Sequence, residues 1–180
     1  MIDSFGVAVM EMTNPQYLLA QLELLLRIGV AGVLGWMIGN ERKNRNKSAG
    51  TRTHSIVALG AALAMVVSKY GFQDMPDHDA ARVAAQVVSG VGFLGAGVIF
   101  VRNNLVNGLT TAAGIWATAS VGLAMGSGLY VIGIASALMI ILMQIFTHKI
   151  AYFARVASSG NIHMTLIQEE GAVERMRNFL

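Results

Sequence analysis

Cysteine is absent from this chain, which excludes disulfides and thiolate metal sites and leaves the compartment unreadable from redox chemistry. Charge is scarce as well. Only 13% of the 180 residues are Asp, Glu, Lys or Arg, against 54% hydrophobic residues, and mean hydropathy is +0.57. A water-soluble chain of this size would struggle to hide so much apolar surface, whereas lipid can cover it. No basic residue precedes the first long apolar run, which argues against a cleavable signal peptide.

What the chain does have is five apolar stretches, at residues 17–39, 55–68, 83–101, 109–125 and 129–147. Most approach the roughly 20 residues that cross the hydrocarbon of a bilayer as a helix. The expected fold class is therefore an all-α membrane protein, a bundle of about five transmembrane helices. The second stretch is the shortest, so His54 and Lys69 are expected to extend it by snorkelling, or the stretch to sit deep in the bundle. The basic residues fall on alternate connections. Ten of the thirteen, among them Arg42, Lys43, Arg45, Lys47, Arg52 and Arg102, share one side, whereas Lys69 and Arg82 stand beside Asp74, Asp77 and Asp79 on the other. The positive-inside rule then places the amino terminus outside and the carboxyl terminus in the cytoplasm. The basic loop at 40–54 reads as this topological signal, and nucleic acid is not an expected partner.

Residues 1–16 form a polar lead in which Asn14-Pro15 fits a turn before the first helix. Asp79 is placed to cap the third helix, and Gly126-Ser127-Gly128 reads as a tight antiparallel turn. Small residues recur at helix-packing spacing: Ala31, Gly35 and Gly39 in the first span, Gly114, Thr118, Gly122 and Gly126 in the fourth. In lipid such stripes let backbones approach closely, which suits a compact bundle or a homo-oligomer. Beyond 147 a linker at 148–160 leads to 161–180, where a strand-like alternation and a helix-like segment suggest the beginning of a small cytoplasmic βα unit.

Gly90, Gly92 and Gly95 spell a literal G-x-G-x-x-G, but inside an apolar span and without the strand and later acidic residue that dinucleotide binding needs. Close packing, or a locally broken helix, is the expected reading. Ionisable groups at membrane depth are functional suspects. Arg27 stands near mid-span, one turn from Glu23, with which it can pair. Gln86 with Ser89, and Thr110 with Thr111, form two further polar patches, each able to hydrogen-bond to a neighbouring helix. Glu41-Arg42 and Arg52-Thr53-His54 flank the basic loop, where they either bridge to one another around a polar vestibule or act as separate interfacial anchors. Carboxylates are sparse: Glu23 and Asp79 are weak candidates for a metal, and no dry Mg²⁺ cage is visible. No nucleophile–base pair is evident, so no enzymatic activity is expected.

Together these residues resemble the MgtC/SapB family of bacterial inner-membrane proteins. The resemblance runs from Arg27 to about Met125. It rests on Arg27 with Gly35-x-x-Ile38-Gly39-x-Glu41-Arg42, on Ala49-Gly50-x-Arg52-Thr53-His54, and on Asp79-x-x-Arg82-x-Ala84-Ala85-Gln86-x-Val88-Ser89-Gly90-x-Gly92-Phe93-Leu94-Gly95-Ala96-Gly97. Gly108-Leu109-x-Thr111-Ala112-Ala113 and Trp116 complete it. Ala80 departs from the pattern, since many relatives have Pro after the Asp.

The resemblance implies a multi-span domain at 17–147 followed by a cytoplasmic domain similar to ACT folds, of which 161–180 would be an incomplete start. It also implies a role in growth at low magnesium and in acid stress, with no cofactor beyond a possible Mg²⁺. Two expectations follow: a regulator of partner membrane proteins and ion homeostasis or, alternatively, a transporter or channel for Mg²⁺ or another cation.

Overall fold

A computed structural model describes the backbone of residues 14–155, apart from 46, 74, 76 and 103, and the side chains as far as 147. Most of the polar lead, and the βα unit expected at 161–180, lie outside the described residues. Five helices there are long and apolar enough to cross a membrane: α1 (Pro15–Asn44), α2 (Thr51–Tyr70), α3 (Ala80–Gly97), α4 (Leu109–Ser127) and α5 (Tyr130–Arg155). The all-α membrane bundle expected from hydropathy is the observed architecture. The compact unit that contains these spans ends at Thr147, although α5 itself continues as helix to Arg155, through the first half of the expected linker.

The helix ends follow from local chemistry. Asn14 caps α1 by accepting from the Gln16 amide at 3.0 Å, with Pro15 in the first turn, where its missing N–H costs nothing. Asp79 caps α3 by accepting from the Ala81 amide at 2.8 Å. Gly128 closes α4 in the left-handed conformation (φ 92°), so α5 starts two residues later.

α2 and α4 form the middle of the bundle, and each packs against the other, α1 and α3. One core cluster joins α1, α2, α4 and α5 through Ala31, Ile38, Ala58, Ala62, Val121 and Ala137. A second, around Ala61, Val91, Ile115 and Ala119, joins α2, α3 and α4. Small residues make the close approach. A Cβ on Gly35 would lie 2.5 Å from the His54 carbonyl oxygen, and one on Gly39 would lie 2.7 Å from that of Gly50. From α4, Gly122 and Gly126 press on the carbonyls of Ala58 and Ala62. The central helix α2 is thus held between glycine faces of α1 and α4, which is what helix association in lipid requires. Leu26, Val33, Ile56, Leu63 and Met139 remain exposed on the outside, as lipid contact demands.

Three details differ from the sequence reading. The second span is not short: α2 has 20 residues, because the polar segment 51–54 is helical and its His54 is buried rather than snorkelling. The third span is an unbroken helix that stops at Gly97, not 101. Phe100–Arg102 (β1) and Leu105–Asn107 (β2) then pair as an antiparallel hairpin, Val101 opposite Val106, with Asn104 at φ 58° in the turn. The hairpin folds α4 back against the end of α3, so tightly that a side chain on Gly108 (φ 93°) would collide with the Val98 carbonyl. The third concerns which helix ends Arg27 meets, described next.

Candidate functional site

Polar side chains gather in two layers, one at each end of the bundle. The layer beside the basic loop starts with Arg42, in the last turn of α1. Its guanidinium is buried, and Nη2 donates to the Thr111 hydroxyl of α4 at 2.8 Å. One residue earlier, Glu41 accepts from Nε of Arg45. His54, in the first turn of α2, is fully buried, and its Nδ1 lies 3.0 Å from the Gly50 carbonyl. A carbonyl only accepts, so Nδ1 carries the proton, and a neutral ring leaves Nε2 as a lone-pair acceptor.

That Nε2 faces Gly114, one turn beyond Thr111 on α4. A Cβ built on Gly114 would lie 3.5 Å from His54 Nε2 and 3.6 Å from Gln144 Nε2, so α5 contributes an amide to the same cleft. Four buried atoms here, Glu41 Oε2, Arg42 Nε, His54 Nε2 and Gln144 Oε1, have no hydrogen-bond partner among the described residues. Buried polar atoms are normally satisfied, so such a concentration marks a place built for more than packing. The layer holds three unpartnered acceptors and one donor, with His54 and Gln144 both bordering the Gly114 cleft. It does not fit a dedicated Mg²⁺ cage: that ion prefers several oxygens and retained water, whereas this set offers one carboxylate oxygen beside a guanidinium. Among the described residues no group of three or more His, Asp or Glu side chains converges on a point.

The opposite layer is built on Arg27. It pairs with Glu23 at 2.6 Å, donates to Tyr70 at 2.9 Å and to the Gly126 carbonyl at 3.5 Å, and lies between the rings of Tyr70 and Tyr130, 5.6 and 5.5 Å from their centroids. The Tyr130 hydroxyl donates to Glu23 at 2.9 Å, and Lys69 donates to the Ser127 carbonyl at 2.8 Å. Arg27, near the middle of α1, therefore sits level with the end of α2 and the α4–α5 turn, at the rim of the packed bundle. Position within a 30-residue helix is a poor guide to depth when the helix overruns its neighbours. Glu23 is an exposed rim residue for the same reason, and Asp79 serves as a helix cap, so neither metal candidate joins a donor set among the described residues.

The remaining expected residues scatter. Arg52, Thr53 and Thr110 are exposed near the first layer. Arg82, Gln86 and Ser89 lie exposed on α3. Of the packing glycines, Gly35, Gly39 and Gly95 meet neighbouring helices, while Gly90, Gly92 and Gly97 meet nothing within 4 Å among the described residues. The sequence reading missed Gln144. The signal was present, since a lone amide in the apolar fifth span is as conspicuous as Gln86 in the third.

The family model described as the MgtC family matches residues 28–153, a range that takes in the whole Arg42–His54–Gln144 layer. The chain belongs to the MgtC family. It is a multi-pass membrane protein, with five apolar helices to place in a bilayer. Among its relatives is an Escherichia coli (strain K12) protein named "Putative magnesium transporter YhiD", 45% identical over 150 residues that cover 81% of this chain and 69% of that one. Protein SapB of Bacillus subtilis (strain 168) is 40% identical, over 67% of this chain and 54% of its own length. Protein MgtC of Brucella abortus (strain 2308) is 50% identical, over 55% of this chain and 40% of its own. No solved structure matches.

Proposed function

We propose that this MgtC-family chain is a non-enzymatic component of the bacterial inner membrane that serves adaptation to scarce magnesium and to acid stress, and that it acts by binding and adjusting other membrane proteins. The link to magnesium is supported by the family and by the name of the Escherichia coli relative. The distribution of basic residues supports an orientation with the Arg42 layer towards the cytoplasm.

The observation that carries this reading is the closed interior. α2 is held backbone to backbone between α1 and α4, and a guanidinium stands at either end, Arg27 at one and Arg42 at the other. A cation following the bundle axis would meet the buried Arg42 guanidinium at one end, whereas Arg27 at the other end is already paired with Glu23. The test is a flux measurement on the purified chain in proteoliposomes enclosing a magnesium-sensitive dye. Background entry is the expected result. Protein-dependent entry that Gln144→Leu abolishes would overturn the proposal.

A cation pathway is the second reading. It is favoured by the buried acceptors Glu41 Oε2, His54 Nε2 and Gln144 Oε1, which could strip part of a hydration shell. The same flux measurement decides between the two.

A further inference from the structure

α3 is turned the wrong way round for a helix at the edge of a membrane bundle. Its buried side is aliphatic: Val91 is buried, and Val87 and Val98 pack against the same core cluster. At 100° per residue, the side opposite Val91 and Gly95 carries Asp79, Arg82, Gln86, Ser89 and Phe93, all exposed. Gln86 and Ser89 stand about 9 and 14 Å along a helix some 27 Å long, well inside the hydrocarbon depth. A primary amide facing lipid there leaves its donors and acceptor unsatisfied, which hydrocarbon penalises.

We infer that this face of α3 is the interface with a second copy of the same chain, related by a two-fold axis along the membrane normal. The chemistry is self-complementary. Two copies inserted with one topology bring parallel α3 helices together, so the Gln86 amides, each both donor and acceptor, meet one another, and the Ser89 hydroxyls do the same. At the helix start, Arg82 of one copy faces the capping Asp79 of the other. Neither residue has an ion-pair partner among the described residues. Gly90 and Gly97 flank Phe93 by about one turn on either side and have open space where a side chain would be, forming notches that admit the opposing ring. An open groove of about 840 Å³ continues the face onto the loop before α3, lined in part by Asp77, Asp79, Arg82 and Gln86. The glycine stripes of α1 and α4 are consumed within the bundle, which leaves α3 to mediate self-association. This interface stands whether the protein regulates partners or passes ions.

The absence of native cysteine makes the test direct. Ser89→Cys and, as a control at similar depth on lipid-facing α5, Met139→Cys are made in the full chain and oxidised in native membranes. Ser89→Cys is expected to yield a disulfide-linked species of twice the chain mass, several-fold more than Met139→Cys. Gln86→Leu, added to Ser89→Cys, should weaken association about three-fold, the scale of one interhelical polar contact in a membrane. Equal cross-linking at both positions, or none at Ser89→Cys with the cysteine shown reactive to maleimide, would overturn the inference. A Ser89→Cys adduct with a protein of another size would overturn it too, since the face would then belong to a different partner.

Discussion

Arg42 and Thr111 are 69 residues apart in sequence and 2.8 Å apart in the fold, a single hydrogen bond that ties the last turn of α1 to the first turn of α4. The guanidinium is nearly sealed from solvent, so the hydroxyl is its principal side-chain partner. Thr111→Val keeps the shape and removes the acceptor. It should lower stability by about 1–3 kcal/mol, the cost of leaving a buried donor unmatched. Thr110→Val, one residue away on the exposed side, should change little. Thermal unfolding of both variants in detergent checks the contrast.

The grip on α2 gives a second prediction. Gly122→Ala would push a methyl group into the Ala58 carbonyl, and Gly35→Ala into that of His54. Each should destabilise by about 1–3 kcal/mol through overpacking. Gly92→Ala, where nothing stands within 4 Å, should be neutral in the same unfolding measurement.

At the opposite rim, Arg27→Leu removes an ion pair whose Glu23 partner is exposed, and two contacts with tyrosine rings. A pair with one exposed partner contributes roughly 0–1 kcal/mol and each cation–π contact about 0.5–1 kcal/mol, so a loss of about 1–3 kcal/mol is expected. Tyr130→Phe keeps the ring and should lose only a fraction of that. Unfolding midpoints of the two variants separate the ring contact from the hydroxyl bond to Glu23.

Gln144→Leu should dissociate stability from activity. The amide oxygen is buried and unmatched, so replacing it with an apolar group of similar size should leave stability unchanged or slightly raised. Growth of a complemented strain at low Mg²⁺ should nevertheless fall, because the Gly114 cleft loses its polar wall. Growth equal to that of the native chain would reduce Gln144 to a packing residue. Lys43→Gln, on the exposed side of α1, provides the tolerant control.

Much of this was legible in the sequence, because lipid enforces simple rules. Five apolar runs became five helices, Asn14 and Asp79 became caps, and of the turn expected at Gly126-Ser127-Gly128 only Gly128 leaves the helix, Gly126 and Ser127 being the last residues of α4. The proximity of Glu41-Arg42, His54 and Thr111 was only half legible: their positions at helix ends were readable, but their convergence depends on which helices are neighbours. Hydropathy carries no information about that. The hairpin at 100–107 escaped notice because its apolar residues extend the third span without a break in composition. Arg27 stands near the middle of α1 yet meets the ends of α2 and α4, because the register of one helix against the next is fixed by side-chain interlocking, here with Tyr70 and Tyr130, and not by counting from an end.

α1 runs for twelve residues before it reaches the Arg27 rim, close to 18 Å of helix that no other described span accompanies. Leu18, Leu19, Leu22 and Leu25 make that overhang oily on its surface. A bilayer accommodates such a projection only if the rod leans over or the lipid around it swells. Lipid chain length thereby becomes a variable that this protein's posture must follow.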